Sequence, residues 1–180
     1  TLILYNFVLD GNNSYYADGY LAHNKGNQRP GKSRIGVVRS CFVAGTEVIM
    51  SDGSTKLIED IALGDELRGD TSFNLVTEFD HPKLGERDLY SFNGGKKFVT
   101  AEHPFMTQDG WKSINPAMTL NEQPKFGDIE TLGVGDMIVQ SNGTSMTIDS
   151  IEVDEDANAD TQLYNFKLDG DNTYYADGML

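Results

Sequence analysis

The sequence predicts an all-β fold of short strands and hairpins. Runs rich in Val, Ile, Leu, Phe and Tyr alternate with Asp-Gly and Asn-Gly pairs, which tolerate positive φ and favour tight hairpin turns. Five such hairpin-like units follow position 41, and helical periodicity is nearly absent. Hydrophobic residues make up 38% of the 180 residues, which is enough for a packed core and too much for wholesale disorder. In chain order the units are TEVIMSDGSTKLIEDI, DLYSFNGGKKFVTA, PFMTQDGWKSI, MIVQSNGTSMTIDSI and YNFKLDGDNTYYADG.

An internal echo suggests that the fold has two related halves. The stretch LIEDIALGDEL (57–67) parallels DIETLGVGDMI (128–138). In each, an acidic and apolar run enters a Gly-Asp turn that leads into a strand-like run. Two such halves predict a compact, pseudo-two-fold arrangement of strands, although Gly-Asp turns also recur by chance.

A second repeat joins the two ends of the chain. LYNFVLDGNNSYYADGYL (4–21) and LYNFKLDGDNTYYADGML (163–180) are identical at 14 of 18 positions, at an offset of 159. Only the first copy continues into Ala22, His23 and Asn24. The start of the chain reads as the middle of a longer polypeptide. The simplest arrangement is a window across a repeat boundary or a permuted chain.

The segment 25–40, KGNQRPGKSRIGVVRS, differs from both flanking regions. It holds five of the 14 basic residues and no acidic one, and it lacks clear alternation before IGVV. We therefore expect a connector here. The predicted organisation is a terminal segment over 1–24, a connector over 25–40 and the main domain over 41–180.

Charge and composition exclude several classes of function. With 28 acidic and 14 basic side chains the net charge is −14, which disfavours nucleic-acid binding because phosphates are repelled. No apolar run approaches the ~20 residues of a membrane span, and no signal peptide is visible. The cellular location is left open. A single cysteine excludes an internal disulfide, so Cys41 is either a packed residue or a chemical one.

Three residues suggest acyl-transfer chemistry around Cys41. Cys41 opens a strand-like run directly after the connector. Thr100 and His103 follow in the stretch FVTAEHPFMT, in a T-x-x-H spacing. A thiol, an imidazole and a hydroxyl supply a nucleophile, a proton donor and a hydrogen bond to a strained amide. By themselves, a single Cys and a single His are more often packing residues.

The motifs together resemble the Hint superfamily, which includes inteins, hedgehog autoprocessing domains and bacterial intein-like domains. CFVAGTEV with DGSTKLIEDIALGD, then TAEHPFMTQDGW, then YNFKLDGDNTYYADG occur in the family's order. The resemblance covers about three quarters of the chain, from Cys41 to its end. The first copy of the repeat also matches, because such domains commonly end in a YNF-like motif followed by His-Asn, here His23-Asn24.

The resemblance implies a role for each residue. Cys41 would attack the carbonyl of Ser40 and form a thioester by an N–S acyl shift. Thr100 and His103 would polarise the Ser40–Cys41 peptide and protonate its nitrogen. Asn24 would cyclise through its side chain and cut the chain before Lys25, assisted by His23. The substrate would be the protein's own flanking polypeptide, in a single turnover without metal or organic cofactor.

Several positions depart from the family pattern. Lys25 is not Cys, Ser or Thr, so the usual acceptor for ligation is missing and cleavage is the better expectation. Asn165 stands where many inteins have Asp, and Thr173 stands near where many have His. Asp177 is close enough to the terminal motif to reach the reaction centre, although an Asp before Gly is usually a turn residue.

Three alternatives remain open from the sequence. The first is a catalytically silent Hint-fold module that serves a structural or interaction role within a larger surface or viral protein. The second is a cysteine hydrolase that acts on other substrates. The third concerns the repeat: the first copy either packs independently or takes the place of the second on the main domain, within one chain or as a domain-swapped dimer.

Overall fold

The computed structural model describes residues 14–17, 20–23 and 40–180. The chain divides into two compact units, 1–36 and 37–180. Short β-strands make up most of the regular structure of the described residues. They are β1 (Ser14–Ala17), β2 (Tyr20–His23), β3 (Phe42–Val43), β4 (Glu47–Ile49), β5 (Thr55–Leu57), β6 (Glu66–Arg68), β7 (Phe73–Asp80), β8 (Leu89–Phe92), β9 (Phe105–Thr107), β10 (Gly110–Ser113), β11 (Glu130–Thr131), β12 (Met137–Val139), β13 (Ser145–Thr147), β14 (Ile151–Asp154) and β15 (Leu163–Leu168).

Helices are few among the described residues. The α-helix α1 (Pro116–Glu122) starts at Asn115, whose side chain accepts a hydrogen bond from the Met118 N–H, with Pro116 at the first helical position. Two single-turn 3₁₀ helices cover Ile58–Asp60 and Pro124–Phe126. The predicted all-β fold is therefore confirmed. Among the described residues, no helix is both long and apolar enough to cross a membrane.

The main unit is built from small sheets rather than one large one. The largest has the strand order β11-β10-β9-β12-β13, and a second has the order β3-β15-β7-β6. Two-stranded pairs β4-β5 and β8-β14 complete it. Three of the predicted hairpins form as expected, namely β4-β5, β9-β10 and β12-β13. In a fourth, β8 is followed by a return segment in which Val99 bridges Tyr90.

The fifth predicted hairpin is wrong. Strand β15 pairs with β3 and β7, and the segment after its turn does not fold back along it. The Asp171 carboxylate accounts for this: it accepts hydrogen bonds from the Asn74 side chain, at 2.6 Å, and from the Thr71 and Thr173 hydroxyls. These bonds draw the chain across residues 69–74 instead. Gly170 allows this close approach, because a Cβ there would lie 2.2 Å from Asn74 Oδ1.

The predicted two-fold relation appears as one hydrogen-bonding pattern used twice. In the first half, the N–H of Gly64 donates to the Val76 carbonyl, and the N–H of Val76 to the Asp65 carbonyl. In the second half, Gly135, Ile148 and Asp136 repeat those bonds. Each Asp also accepts a lysine ammonium, from Lys56 at 2.6 Å and from Lys112 at 2.8 Å. Both glycines have positive φ, as the turn requires.

An aromatic cluster fills the centre of the main unit. Phe42, Phe92, Phe98 and Phe105 are at most 6% exposed and pack against one another in stacked and edge-to-face pairs. Phe42 belongs to the short strand β3, directly after Cys41. The core therefore fixes the position of the residue that the sequence marks as a nucleophile.

The described parts of the two repeat copies share one residue pairing. In the first, β1 and β2 form an antiparallel hairpin in which Ala17 pairs with Tyr20. In the second, Ala176 bridges Met179, which are the same two positions at the offset of 159. On the main unit, Met179 also bridges Gln140. The duplicated sequence thus pairs the same two positions in both places.

Candidate functional site

Cys41 lies at the start of β3 and is 0% exposed. Burial raises the pKa of its thiol well above the ordinary value, and the Asp80 and Glu102 carboxylates also raise it. The Arg87 guanidinium opposes this through its charge and through a hydrogen bond to the thiol. Among the described residues, Arg87 is thus a cation placed where it would stabilise a thiolate.

The T-x-x-H motif forms a turn beside Cys41. The N–H of His103 donates to the carbonyl of Thr100 at 3.2 Å, so the two intervening residues form the turn. The N–H of Thr100 donates to the Cys41 carbonyl at 3.2 Å, which fastens the turn to the start of β3. The spacing thus brings a hydroxyl and an imidazole to the same peptide.

Thr100 contacts the nitrogen of the Ser40–Cys41 bond. Its Oγ1 accepts a hydrogen bond from the Cys41 N–H at 3.1 Å, and Thr100 is 1% exposed. A single lone-pair-bearing oxygen therefore holds the amide hydrogen of this peptide. That contact fixes the nitrogen which would become an amine when the bond is cleaved.

His103 contacts the carbonyl side of the same peptide. Burial lowers the pKa of His103 to about 3, and the backbone of Ser40 offsets only part of this, so the ring is neutral at neutral pH and faces the Ser40 carbonyl. Its ring lies 4.1 Å from that of Phe42, centroid to centroid, and its Nδ1 is buried without a hydrogen-bond partner among the described residues. A neutral imidazole here is suited to hold a developing oxyanion.

Glu122 holds the residue before the bond. Its Oε2 accepts the Ser40 N–H at 2.7 Å. Burial raises the pKa of this carboxyl group to about 8. Ser40 is itself only 2% exposed.

A buried ion pair between Arg87 and Glu102 lies beside the Cys41 thiol. Arg87 Nη1 donates to Glu102 Oε1 at 2.9 Å, and Glu102 is 0% exposed. The remaining guanidinium nitrogens are directed by the loop, since Nε donates to the Leu84 carbonyl and Nη2 to the Lys83 carbonyl. Glu102 is one of the two unspecified residues of the T-x-x-H motif. The guanidinium is thereby held against the thiol.

A cavity of about 770 Å³ opens beside the junction. Ser40, His103, Glu122, Asn165 and Leu180 are among the residues that line it. Asn165 lies opposite Asp80 in the β15-β7 register, and Asp80 also lines the cavity. Asn165 is therefore faced by a carboxylate from the neighbouring strand.

Asp177 does not line this cavity. Its Oδ1 accepts the Glu47 N–H at 2.8 Å, and its own N–H donates to the Glu47 carbonyl at 2.8 Å. With φ of 48° it forms the turn that closes the second copy of the repeat. These contacts make Asp177 a turn residue outside this cavity.

The predicted downstream junction, Asn24–Lys25, lies outside the residues that the structure describes, and only the neighbouring His23 is described. His23 belongs to β2, in register with Ser14. Asn24 and Lys25 lie outside the described residues. Within residues 40–180 and the two short strands, no group of three or more His, Cys, Asp or Glu side chains is arranged to hold a metal ion.

Sequence reasoning missed Arg87, Asp80, Glu102 and Glu122. Glu102 had a signal, since it is inside the T-x-x-H motif. The other three come to the Ser40–Cys41 dipeptide through the fold, without a local sequence pattern.

Solved structures resemble the chain, whereas no protein-family model matches it and a comparison with curated proteins finds no match. A bacterial intein-like domain from Clostridium thermocellum is 25% identical with a TM-score of 0.59, over 79% of this chain and 96% of that one. The gp41-1 intein is 22% identical with a TM-score of 0.56, over 79% and 97%. A DnaB intein from Synechocystis sp. PCC 6803 is 14% identical with a TM-score of 0.55, over 78% and 96%.

Proposed function

By its fold the chain is a member of the Hint superfamily, and we propose that it is a self-processing domain that cleaves its own backbone at Ser40–Cys41. The observation that carries this proposal is the hydrogen bonding of the backbone of one dipeptide, Ser40–Cys41. Side chains accept from both N–H groups of Ser40 and Cys41, and the Cys41 carbonyl accepts from the Thr100 N–H. The Ser40 carbonyl faces the His103 imidazole. Ordinary strand residues are held by backbone ladders instead.

The upstream step is an N–S acyl shift. Cys41 Sγ attacks the Ser40 carbonyl carbon, an S–C bond forms, and the C–N bond to Cys41 breaks as the thiol proton passes to the leaving nitrogen. The His103 imidazole holds the oxygen, which gains negative charge during the attack, and Thr100 holds the nitrogen. Arg87 stabilises the thiolate that burial disfavours. A simple amide is more stable than a thioester, so an added thiol or water is needed to draw the reaction forward.

The downstream step involves His23 and Asn24. Asn24 cyclises through its side-chain amide onto its own carbonyl and cuts the chain before Lys25, with His23 assisting proton transfer. Because Lys25 has no hydroxyl or thiol, it cannot accept the acyl group for ligation. Release of the flanking segments is therefore the proposed outcome rather than their joining.

We further propose that the first copy of the repeat reaches the site by replacing the second. Both backbone polar groups of Leu180 are hydrogen bonded, since its N–H donates to the Val139 carbonyl and its carbonyl accepts from the Met106 N–H. It also lines the cavity beside Ser40 and His103. Leu21 is the equivalent residue of the first copy, and it is followed by Ala22, His23 and Asn24. An exchange would therefore bring His23 and Asn24 into that cavity.

Thiol-induced cleavage of the full chain tests the upstream step. Incubation with dithiothreitol is expected to convert the 180-residue chain into fragments 1–40 and 41–180. Intact mass spectrometry measures both fragments. Cys41→Ala should give none of either fragment, because the nucleophile is absent. Asn24→Ala is the matched control and should leave this cleavage unchanged while abolishing any cut before Lys25.

The opposite result would support the alternative function. Complete exclusion of Cys41 from solvent also suits a silent Hint-fold module, since a buried thiol with a raised pKa reacts slowly. A chain that stays intact in dithiothreitol over days, while folded, would point to that module.

A disulfide trap tests the exchange. In a Cys41→Ala background, Tyr20→Cys with Gln140→Cys should oxidise to a disulfide, because Tyr20 would take the place of Met179 opposite Gln140. A non-reducing gel distinguishes a cross-link within one chain from a swapped dimer. Met179→Cys with Gln140→Cys is the positive control, and Tyr20→Cys with Val134→Cys, at a 68% exposed site, is the negative one. If the Tyr20 pair cross-links no better than the negative control, the exchange is rejected.

A further inference from the structure

Glu122 is carried by a helix that is fastened to the reactive turn. Within α1, the Thr119 hydroxyl donates to the Glu102 carbonyl at 2.8 Å and contacts the Ser113 hydroxyl at 2.7 Å. Glu102 lies within the T-x-x-H turn. The last residue of α1 therefore has a fixed position relative to Thr100 and His103.

The Glu122 carboxylate is bonded to the junction and otherwise poorly satisfied. Oε2 accepts the Ser40 N–H, and Oε1 is buried without a hydrogen-bond partner among the described residues. Burial and the nearby Glu102 carboxylate raise its pKa to about 8, and the Ser40 N–H, the Arg87 guanidinium and the Ser40 hydroxyl offset only part of this. A buried, half-satisfied carboxylate costs stability. Its presence at the scissile dipeptide is therefore better explained by a role in the reaction.

We propose that Glu122 selects and positions the residue before the scissile bond by holding the backbone N–H of residue 40, a proposal that rests on self-cleavage at Ser40–Cys41. The hydrogen bond fixes one end of residue 40 while His103 fixes its carbonyl. The carbonyl carbon is thereby kept in place for attack by Cys41.

This contact has a defined specificity. A bond to the main chain accepts any residue that has an N–H, so proline is excluded at position 40. Ser40 is 2% exposed but lines the adjoining cavity, so its burial alone sets no limit on the size of the side chain. Selection by Glu122 therefore acts on the backbone, and N-substituted residues do not fit.

The first test compares cleavage rates of full-length variants in dithiothreitol. At about pH 9, where the carboxylate is ionised, Glu122→Ala is expected to slow release of 41–180 by roughly ten- to a hundredfold, the size expected for one charge-assisted hydrogen bond. Glu122→Gln keeps a neutral acceptor oxygen, so it should recover most of the parent rate at about pH 7 and less of it at about pH 9. Glu155→Ala, at an exposed position, is the matched control and should change nothing. A folded Glu122→Ala protein that cleaves at the rate of the parent would overturn the proposal.

The second test varies residue 40. Ser40→Ala should cleave at a rate close to the parent, and Ser40→Pro should be strongly impaired. In the Glu122→Ala background Ser40→Pro should add little further loss, because the bond it removes is already absent. Equal losses in both backgrounds would show that Glu122 does not read this N–H.

The third test uses pH. Charged groups facing Glu122 are Glu102 and Arg87, beside the neutral His103 ring, and Asp80 also lines the cavity. Above a pH of about 8 the Glu122 carboxylate is ionised and accepts the Ser40 N–H more strongly. The ratio of the parent rate to the Glu122→Gln rate should therefore rise between about pH 7 and 9, while thiol ionisation cancels in the ratio. A flat ratio would contradict the assignment.

An arm without cleavage separates this proposal from the proposed function. In Cys41→Ala, which leaves the bond intact, amide hydrogen exchange at Ser40 is measured by nuclear magnetic resonance. Glu122→Ala should speed that exchange at least tenfold relative to neighbouring core amides. If the parent never cleaves but this effect is seen, the self-processing function fails and the Glu122 contact stands. If exchange is unaffected, the positioning role fails whatever the cleavage result.

Discussion

Replacing His103 with alanine is expected to slow thiol-induced cleavage at Ser40–Cys41 by roughly a hundred- to a thousandfold. The imidazole faces the carbonyl oxygen that becomes negatively charged when Cys41 attacks, and its Nδ1 edge is buried. The measurement is the first-order rate at which the 41–180 fragment appears. His103→Gln retains a donor and should lose less.

His81→Ala is the matched control for this loss. His81 is exposed and packs against Phe79 and Tyr164 on the β7 and β15 side. The His81→Ala variant should cleave at a rate within about twofold of the parent rate, since surface substitutions of this kind rarely affect a buried site. Equal losses in the two histidine variants would remove the specific role of His103, as would a folded His103→Ala protein that cleaves normally.

The parts of the fold that were predictable are those encoded locally. Asp-Gly and Asn-Gly turns specify β4-β5, β9-β10 and β12-β13, because each turn fixes its own hairpin register. The Gly-Asp echo likewise predicted the repeated turn at Gly64 and Gly135. The last unit failed because its turn is governed by Asp171, whose partners Thr71 and Asn74 lie about a hundred residues away in sequence.

The candidate site divides in the same way. Thr100 and His103 were predictable because a four-residue turn delivers both to one peptide, and motif order pointed to Cys41. Arg87 and Glu122 were not, because neither has a neighbour in sequence that marks it. Their roles arise only when the loop before β8 and the end of α1 meet beside β3. Charged residues at exposed-looking positions carry no local signal of burial.

The largest expected effect on stability comes from Arg87→Met. This change leaves Glu102 buried at 0% exposure without its cation, which typically costs about 3–5 kcal/mol. The midpoint of thermal unfolding should fall by roughly 10 °C for a domain of this size. Lys167→Met, which breaks the ion pair with Glu78 at the surface, is the control and should cost less than about 1 kcal/mol.

The double variant Arg87→Met/Glu102→Leu separates stability from chemistry. With both charges replaced by apolar groups no buried carboxylate is left unpaired, so much of the lost stability should return. Cleavage should not return, because the Cys41 thiol still lacks the guanidinium that lowers its pKa against burial and against the Asp80 carboxylate. If the cleavage rate recovers together with the unfolding temperature, Arg87 supports the fold alone. If the rate stays low in a restabilised protein, Arg87 acts on the thiol itself.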